Sequence, residues 1–195
     1  AYSDITGKLK QTTNGEAELA AARKVTFDIS QQYFQQLDAT VTLYGRSARA
    51  MAEYGYQQSV VAEMTKTVSA GLLVDRATTA EAASAMLQLS QALGAGALRG
   101  EEFNAVNEAA PSLMTALARS LNVGRGELKK LAEDGKLTID VLVEAFTGAQ
   151  AKAIQQQASE VPLTIARAWQ QTKNEMLVYV GSADQVNGVS STAAQ

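Results

Sequence analysis

Apolar residues recur at helical spacing along almost the whole chain, and no window alternates cleanly with a period of two. Leu37, Val41, Tyr44, Ala48 and Met51 form a single helical stripe. They predict a helix from about Gln36 to Tyr54, with Gly55 as its C-cap. The Asn14-Gly15 turn signal separates a short helix within residues 1–13 from a longer one over about 16–32, whose inward face carries Leu19, Ala22, Thr26 and Ile29. A further helix over about 59–70 turns Val61, Met64 and Val68 inward. Thr78-Thr79-Ala80-Glu81 has the spacing of a capping box, in which the threonine hydroxyl serves one orphan N–H and the glutamate reaches back. It opens a helix with Ala83, Met86, Leu87, Ser90 and Leu93 inward, ended by Gly94 and Gly96.

Shorter pieces follow. Arg99 to Phe103 opens one helix, and Pro111 suits the first turn of another ending near Leu121. After the Asn122-Val123-Gly124 turn, Glu127 to Asp134 is a short helix closed by Gly135. Hydrophobic staples are available between Val123 and Leu128, and between Leu137 and Leu142 across a Thr138 cap. One longer helix is predicted from Ile139 to about Ala158, with Leu142, Phe146, Ala149 and Ala153 inward. After Pro162 a last helix turns Ile165, Trp169, Met176 and Val180 inward and stops at Gly181. The pattern therefore predicts an all-α fold, a compact multi-helix bundle of seven to eight helices with short connections. Residues 1–15 read as an entry segment, 16–181 as the helical domain and 182–195 as a flexible tail. No internal repeat recurs at a fixed period.

Composition narrows the function classes. The 195 residues suffice for one domain with a real core or for two small ones. With 46% hydrophobic and 19% charged residues the chain lacks the signature of disorder. Sparse aromatics and abundant alanine imply closely approaching helices, less apolar area buried per residue and modest stability. A net charge of -3 and a pI near 5.1 give no sign of a nucleic-acid or anionic-membrane partner. The absence of cysteine excludes disulfides, zinc–thiolate sites and thiol nucleophiles. The absence of histidine removes the commonest general base and metal ligand. No glycine-rich phosphate loop, no signal peptide and no apolar run approaching 18 residues is present. The missing initiator methionine and the Ser/Thr/Ala-rich end suggest a segment of something longer.

Two groups of residues invite a chemical reading. Glu101, Glu102 and Glu108 resemble a carboxylate set for acid–base work, but neighbouring residues point apart on a helix, and acidic first turns are favoured by the helix dipole alone. Residues 111–134 have the outline of a helix-turn-helix, with Leu113, Leu117, Leu121, Val123, Leu128 and Leu131 apolar and Arg125, Lys129 and Lys130 available to DNA. Against this, residues 101–134 hold four basic and six acidic side chains, a net -2 that matches a phosphate backbone poorly. Trp169 reads as a core anchor. Tyr54 and Tyr56 around Gly55 read as helix-end packing, or as a corner that binds a partner.

A long run of residues at fixed spacing carries a resemblance. Leu87-Gln88-Leu89-Ser90-Gln91-Ala92-Leu93 leads to Leu98-Arg99-Gly100-Glu101-Glu102-Phe103-Asn104 and then Glu108-Ala109-Ala110-Pro111. Leu121-Asn122-Val123, Gly126-Glu127-Leu128 and Leu131-Ala132-Glu133-Asp134-Gly135-Lys136-Leu137-Thr138 complete it. This run resembles the central signature of phage tail tape measure proteins. The flanks are similar as well: Tyr2 to Lys10, Leu43-Tyr44-Gly45-Arg46, Ala48-Arg49-Ala50, Pro162-Leu163-Thr164, Ala168 and Tyr179-Val180-Gly181. Gly124 stands where the family often has serine, a slightly weaker helix cap.

The resemblance implies a virion structural component rather than an enzyme. Such a protein lies in the tail tube lumen after a period in the host cytoplasm, governs tail length and assembly, and takes part in genome ejection. The implied partners are the tail tube protein, tail assembly chaperones, tail-tip or baseplate proteins and further copies of the chain; no cofactor, metal or small-molecule substrate is implied. Within the signature, Leu89, Ser90, Leu93, Arg99, Gly100, Glu101, Glu102, Phe103, Asn104, Pro111, Gly126, Leu128, Gly135, Leu137 and Thr138 are family-motif residues, structural or interacting. The alternative from the residues themselves is the helix-turn-helix DNA-binding module at 111–134.

Overall fold

A computed structural model describes residues 2–187, and their periodicity resolves into eleven α-helices: α1 (Tyr2–Lys10), α2 (Glu16–Gln32), α3 (Leu37–Ala52), α4 (Gln58–Val74), α5 (Thr79–Ala95), α6 (Gly100–Ala109), α7 (Pro111–Ser120), α8 (Arg125–Glu133), α9 (Ile139–Thr147), α10 (Ala149–Ser159) and α11 (Ile165–Asn187). Among the described residues there is no strand, only an isolated antiparallel bridge between Ala97 and Thr138. No helix among the described residues is long and apolar enough to cross a membrane. Helix α4 packs against α3, α9 and α10, while α5 is held between α3 and α6. Helices α1, α2 and α11 gather beside α3, and α7 joins α6, α8, α9 and α10. A single hydrophobic core, starting at Ile5 and Leu9 of α1, runs through to Ile154 and Ala158 of α10.

The predicted stripes of α2, α3 and α4 are buried as read. At α5 the Thr78 hydroxyl accepts from the Glu81 N–H at 3.3 Å and the Glu81 carboxylate accepts from the Thr78 N–H at 2.7 Å, the complete capping box. These bonds from Thr78 hold the Glu81 carboxyl below its usual range. Gly55, Gly96 and Gly135 close α3, α5 and α8 with positive φ. Leu128 is buried and Val123 partly so, while Leu137 and Leu142 are both buried, as the staples require.

Four expectations are corrected. The bundle has eleven helices, not seven to eight. One reason is Gly148, whose extended backbone splits the helix predicted from Ile139 to Ala158. A Cβ at Gly148 would lie 2.7 Å from the Glu144 carbonyl oxygen, so only glycine fits. The break resets the phase, burying Ala151, Ile154 and Ala158 and leaving Ala149 and Ala153 exposed. On α5 the inward face is rotated: Ala82, Ala85 and Leu89 are buried beside Met86, Ser90 and Leu93, whereas Leu87 is exposed. The last helix does not stop at Gly181 but runs to Asn187. Gly181 is small because the Tyr2 side chain occupies the place of its Cβ, at 2.2 Å. The rest of the expected tail, 188–195, lies outside the described residues.

The fourth correction is the largest. Ile165, Trp169, Met176 and Val180, predicted to face inward, are 92%, 60%, 66% and 53% exposed, and Tyr179 beside them is 75% exposed. Helix α11 instead turns Gln170 and Asn174 toward the bundle, flanked by the half-buried Leu177 and Val178. Asn174 uses its whole amide. Its Nδ2 donates to the Gln35 carbonyl at 2.8 Å and to Gln31 Oε1 at 3.3 Å, and its Oδ1 accepts from the Leu37 N–H at 3.2 Å and Gln170 Nε2 at 3.0 Å. Leu37 is the first residue of α3, so Asn174 satisfies a donor that the α3 N-terminus otherwise leaves open. Turned inward, this amide has every donor and acceptor engaged, as a buried polar group requires, and the opposite apolar face is left outside.

Two outcomes follow for stability. Helix α4 crosses α7 at Gly71, where a Cβ would come within 2.6 Å of Leu113 Cγ. Gly71→Ala should lose about 1–3 kcal/mol of stability by overpacking, read in urea denaturation, and a Leu113→Ala background should remove the penalty. The buried Tyr33 hydroxyl has no hydrogen-bond partner among the described residues, and burial followed by Glu63 pushes its pKa up to about 12. Burial followed by Glu18 raises that of Tyr44 as well. The unfolded chain ionises both near 10.0, so folding stability should fall as pH rises above that value. Tyr33→Phe should flatten this alkaline loss and add about 1 kcal/mol at neutral pH, measured as the pH dependence of the urea midpoint.

Candidate functional site

The motif residues are drawn from α5 to α9 and the loops between them, and a short backbone contact joins its two halves. The Leu98 N–H donates to the Leu137 carbonyl at 2.8 Å beside the Ala97–Thr138 bridge. Gly100 and Gly135 have φ of +57° and +66°. A Cβ at Gly135 would lie 3.2 Å from the Arg99 guanidinium carbon, so the arginine lies directly over this glycine.

The fifteen motif residues then divide by depth. Leu89, Ser90, Leu93, Phe103, Leu128 and Leu137 enter the core. Arg99, Gly100, Glu101, Asn104, Pro111, Gly126 and Thr138 are exposed, with Glu102 and Gly135 half-buried. The Ser90 hydroxyl donates to the Leu87 carbonyl at 2.6 Å. Pro111 is the first residue of α7. Thr138 is the N-cap of α9, though its side chain makes no capping bond.

Sequence reasoning missed how α7 is capped. The Asp75 carboxylate, just past the end of α4, accepts from the Ser112 N–H at 2.8 Å and the Ser112 hydroxyl at 2.6 Å. It thereby places a negative charge at the α7 N-terminus, where the helix dipole favours it. The Tyr54–Tyr56 corner is also tied down on one side: the Tyr56 hydroxyl donates to Asp140 Oδ1 at 2.5 Å, which raises the tyrosine's pKa. Tyr54 remains 52% exposed.

Helices α7 and α8 are consecutive, packed together and joined by a short turn. Leu113, Leu117 and Leu128 are buried, and Leu121, Val123 and Leu131 partly so. The basic side chains are poorly placed for phosphate. The Arg125 guanidinium donates to the Pro111 carbonyl at 2.8 Å, to Thr115 Oγ1 at 3.0 Å and to Asn107 Oδ1, which turns it back on α6 and α7. Lys129 and Lys130 are exposed on a helix that also displays Glu127 and Glu133, with Asp134 at its end.

An open groove of about 930 Å³ lies between α1, α3 and α5. Its lining mixes Lys8, Arg46, Arg49 and Glu53 with Tyr54 and Leu87, so Leu87 faces this groove rather than the core. Lys8 donates to Asp38 at 2.7 Å and to Thr42 at 3.0 Å, and Arg49 to Gln11 at 2.9 Å. No group of three or more acidic residues among the described ones is placed to hold a metal ion.

A family model described as tape measure protein matches residues 1–185. No curated protein and no solved structure matches the chain.

If Arg125 is a bundle tie rather than a phosphate contact, fluorescence anisotropy at low salt should show no binding of duplex DNA. Arg125→Ala should lower the unfolding midpoint, because it removes the guanidinium's three bonds to α6 and α7. Salt-sensitive duplex binding abolished by Lys129→Ala/Lys130→Ala would reverse this reading.

Proposed function

The chain belongs to the tape measure protein family, a family of phage tail structural proteins, and from that premise we propose that it is a folded helical station on such a protein, acting in tail assembly and genome ejection rather than as a stretch of the extended ruler. The observation that carries this reading is the division of a family-matched chain into eleven helices, the longest of 23 residues. An unbroken helix of the whole chain would reach about 290 Å, at ~1.5 Å per residue. The bundle instead folds its helices back on one core.

Its partners in this reading are the tail tube protein, tail assembly chaperones, tail-tip or baseplate proteins and further copies of the chain. It resides in the tail tube lumen after assembly in the host cytoplasm. The exposed motif residues Arg99, Glu101 and Asn104 and the groove between α1, α3 and α5 offer polar surfaces for such partners. The alanine-rich core favours the further step that the bundle unfolds to pass through the tube, since small side chains bury less apolar area.

Electron microscopy of particles whose tape measure protein lacks this segment tests the proposal. The expected result is loss of tails, or tails of near-normal length that fail to infect. Tails shortened by about 290 Å would make the segment part of the ruler, and normal, infective tails would remove the assembly and ejection roles together.

A further inference from the structure

Helix α11 is built inside out. Its bundle side is anchored by the amides of Gln170 and Asn174, and its solvent side carries the large apolar residues. On that outer side Ile165, Trp169, Thr172, Met176, Tyr179 and Ala183 follow one another at spacings of four, three, four, three and four. With Thr172 as its one polar member, its hydroxyl turned back on the Ala168 carbonyl, this is the alternation of a coiled-coil seam, in which apolar side chains repeat every 3.5 residues and a partner helix covers them. All but Ala183 are exposed, and Ala183 is half-buried.

Ile165, Trp169, Met176, Tyr179 and Val180 leave on the order of 700 Å² uncovered, above the roughly 300–600 Å² of a monomer's usual largest patch and close to the ~800 Å² each partner gives a stable interface. We infer that the occupant of this face is a second copy of the chain, its α11 lying parallel and in register against the first.

Two features of the helix select that occupant. In the heptad set by this seam, Asn174 falls at the position opposite the contact, so each bundle stands behind its own helix and the two do not collide. The seam-flanking charges are Lys173 and Glu175. In a parallel, in-register pair Lys173 flanks Ala168 of the other copy and Glu175 flanks Val180, so like charges never meet. An antiparallel pair centred on the seam brings Lys173 against its own counterpart. The Lys173 ammonium already lies 5.9 Å from the Trp169 ring centroid, where it borders the seam without interrupting it.

The inference deepens the proposed gathering of several copies and rests on that reading only for its biological setting. The isolated chain can fail to associate while deletion of the segment still abolishes tails, so the two failures are distinguishable. Sedimentation of the chain over a broad concentration range should show its mass rising from 20.6 kDa toward a multiple of that value. Trp169→Glu/Met176→Glu should remain at 20.6 kDa throughout with an unchanged helical circular dichroism spectrum, because both side chains are exposed in the single bundle. The chain has no native cysteine, so a Met176→Cys variant should form a linked dimer on mild oxidation, whereas Lys130→Cys, on α8, should not.

A chain that stays at 20.6 kDa at every concentration overturns the inference. So does a double glutamate variant that still associates, or cross-linking as ready from position 130 as from 176. Flotation of a monomeric chain with phosphatidylcholine vesicles would assign the face to lipid and overturn it equally.

Discussion

A helix of nine to eleven residues makes too few internal hydrogen bonds to offset the cost of its first turn. Helices α1, α6, α7, α8, α9 and α10 are all of that length, so each exists only through what it packs against. The longer α2, α3, α4 and α5 supply much of that support. Contacts between helices also take over work that caps within a helix usually do. Asp75 caps α7 from the end of α4, and Asn174 of α11 serves the first N–H of α3. Helix ends satisfied from elsewhere in the fold tie the short pieces into one cooperative unit, because a helix that leaves exposes the terminus of another.

The helical class was legible from the 3.6-residue period, and the stripes of α2, α3 and α4 could be read directly from it. The α5 start was legible because a capping box is a local contract between Thr78 and Glu81. What could not be read was the meaning of several glycines. Gly181 looks like a helix stop, yet the helix continues through it and Tyr2 packs on its bare Cα. Gly148 sits inside an apparently continuous helical pattern, yet its backbone is extended and ends α9 there, and the Glu144 carbonyl leaves no room for a Cβ at that break. Gly71 carries no local signal at all and matters only because Leu113, more than forty residues away in sequence, lies against it. A glycine's role is set by what approaches it, and that information is tertiary.

The family motif was legible as a pattern, and its buried half, from Leu89 to Leu137, makes structural sense of it. The candidate interaction surfaces were less legible for a specific reason. Assigning helix faces by hydrophobicity assumes that the apolar side turns inward, and for α11 that rule points the wrong way. The signal that could have corrected it was present: Gln170 and Asn174 share the face opposite a four–three spacing that is apolar apart from Thr172. Only the chain partners of Asn174, the Gln35 carbonyl and the Leu37 N–H, show that this polar face is the one the bundle needs.

The same inversion bears on how the bundle comes apart. Most helices are held by apolar burial, but α11 is held largely by amide hydrogen bonds to Gln31, Gln35 and Leu37 together with the half-buried Leu177 and Val178. Amide bonds exchange with water at a net loss of about 0.5–1.5 kcal/mol each, whereas extracting a buried leucine or phenylalanine costs about 1.5–3 kcal/mol in transfer alone. Helix α11 therefore detaches without extracting a fully buried apolar side chain, and detaching it frees the α3 N-terminus and uncovers Tyr2 on α1. Covering its outer face removes that weakness by adding apolar burial to an element that otherwise has little. In the proposed pairing, association along α11 and integrity of the bundle are coupled: paired copies would hold each other's α11 in place, and separating them would ease unravelling of the chain from this end.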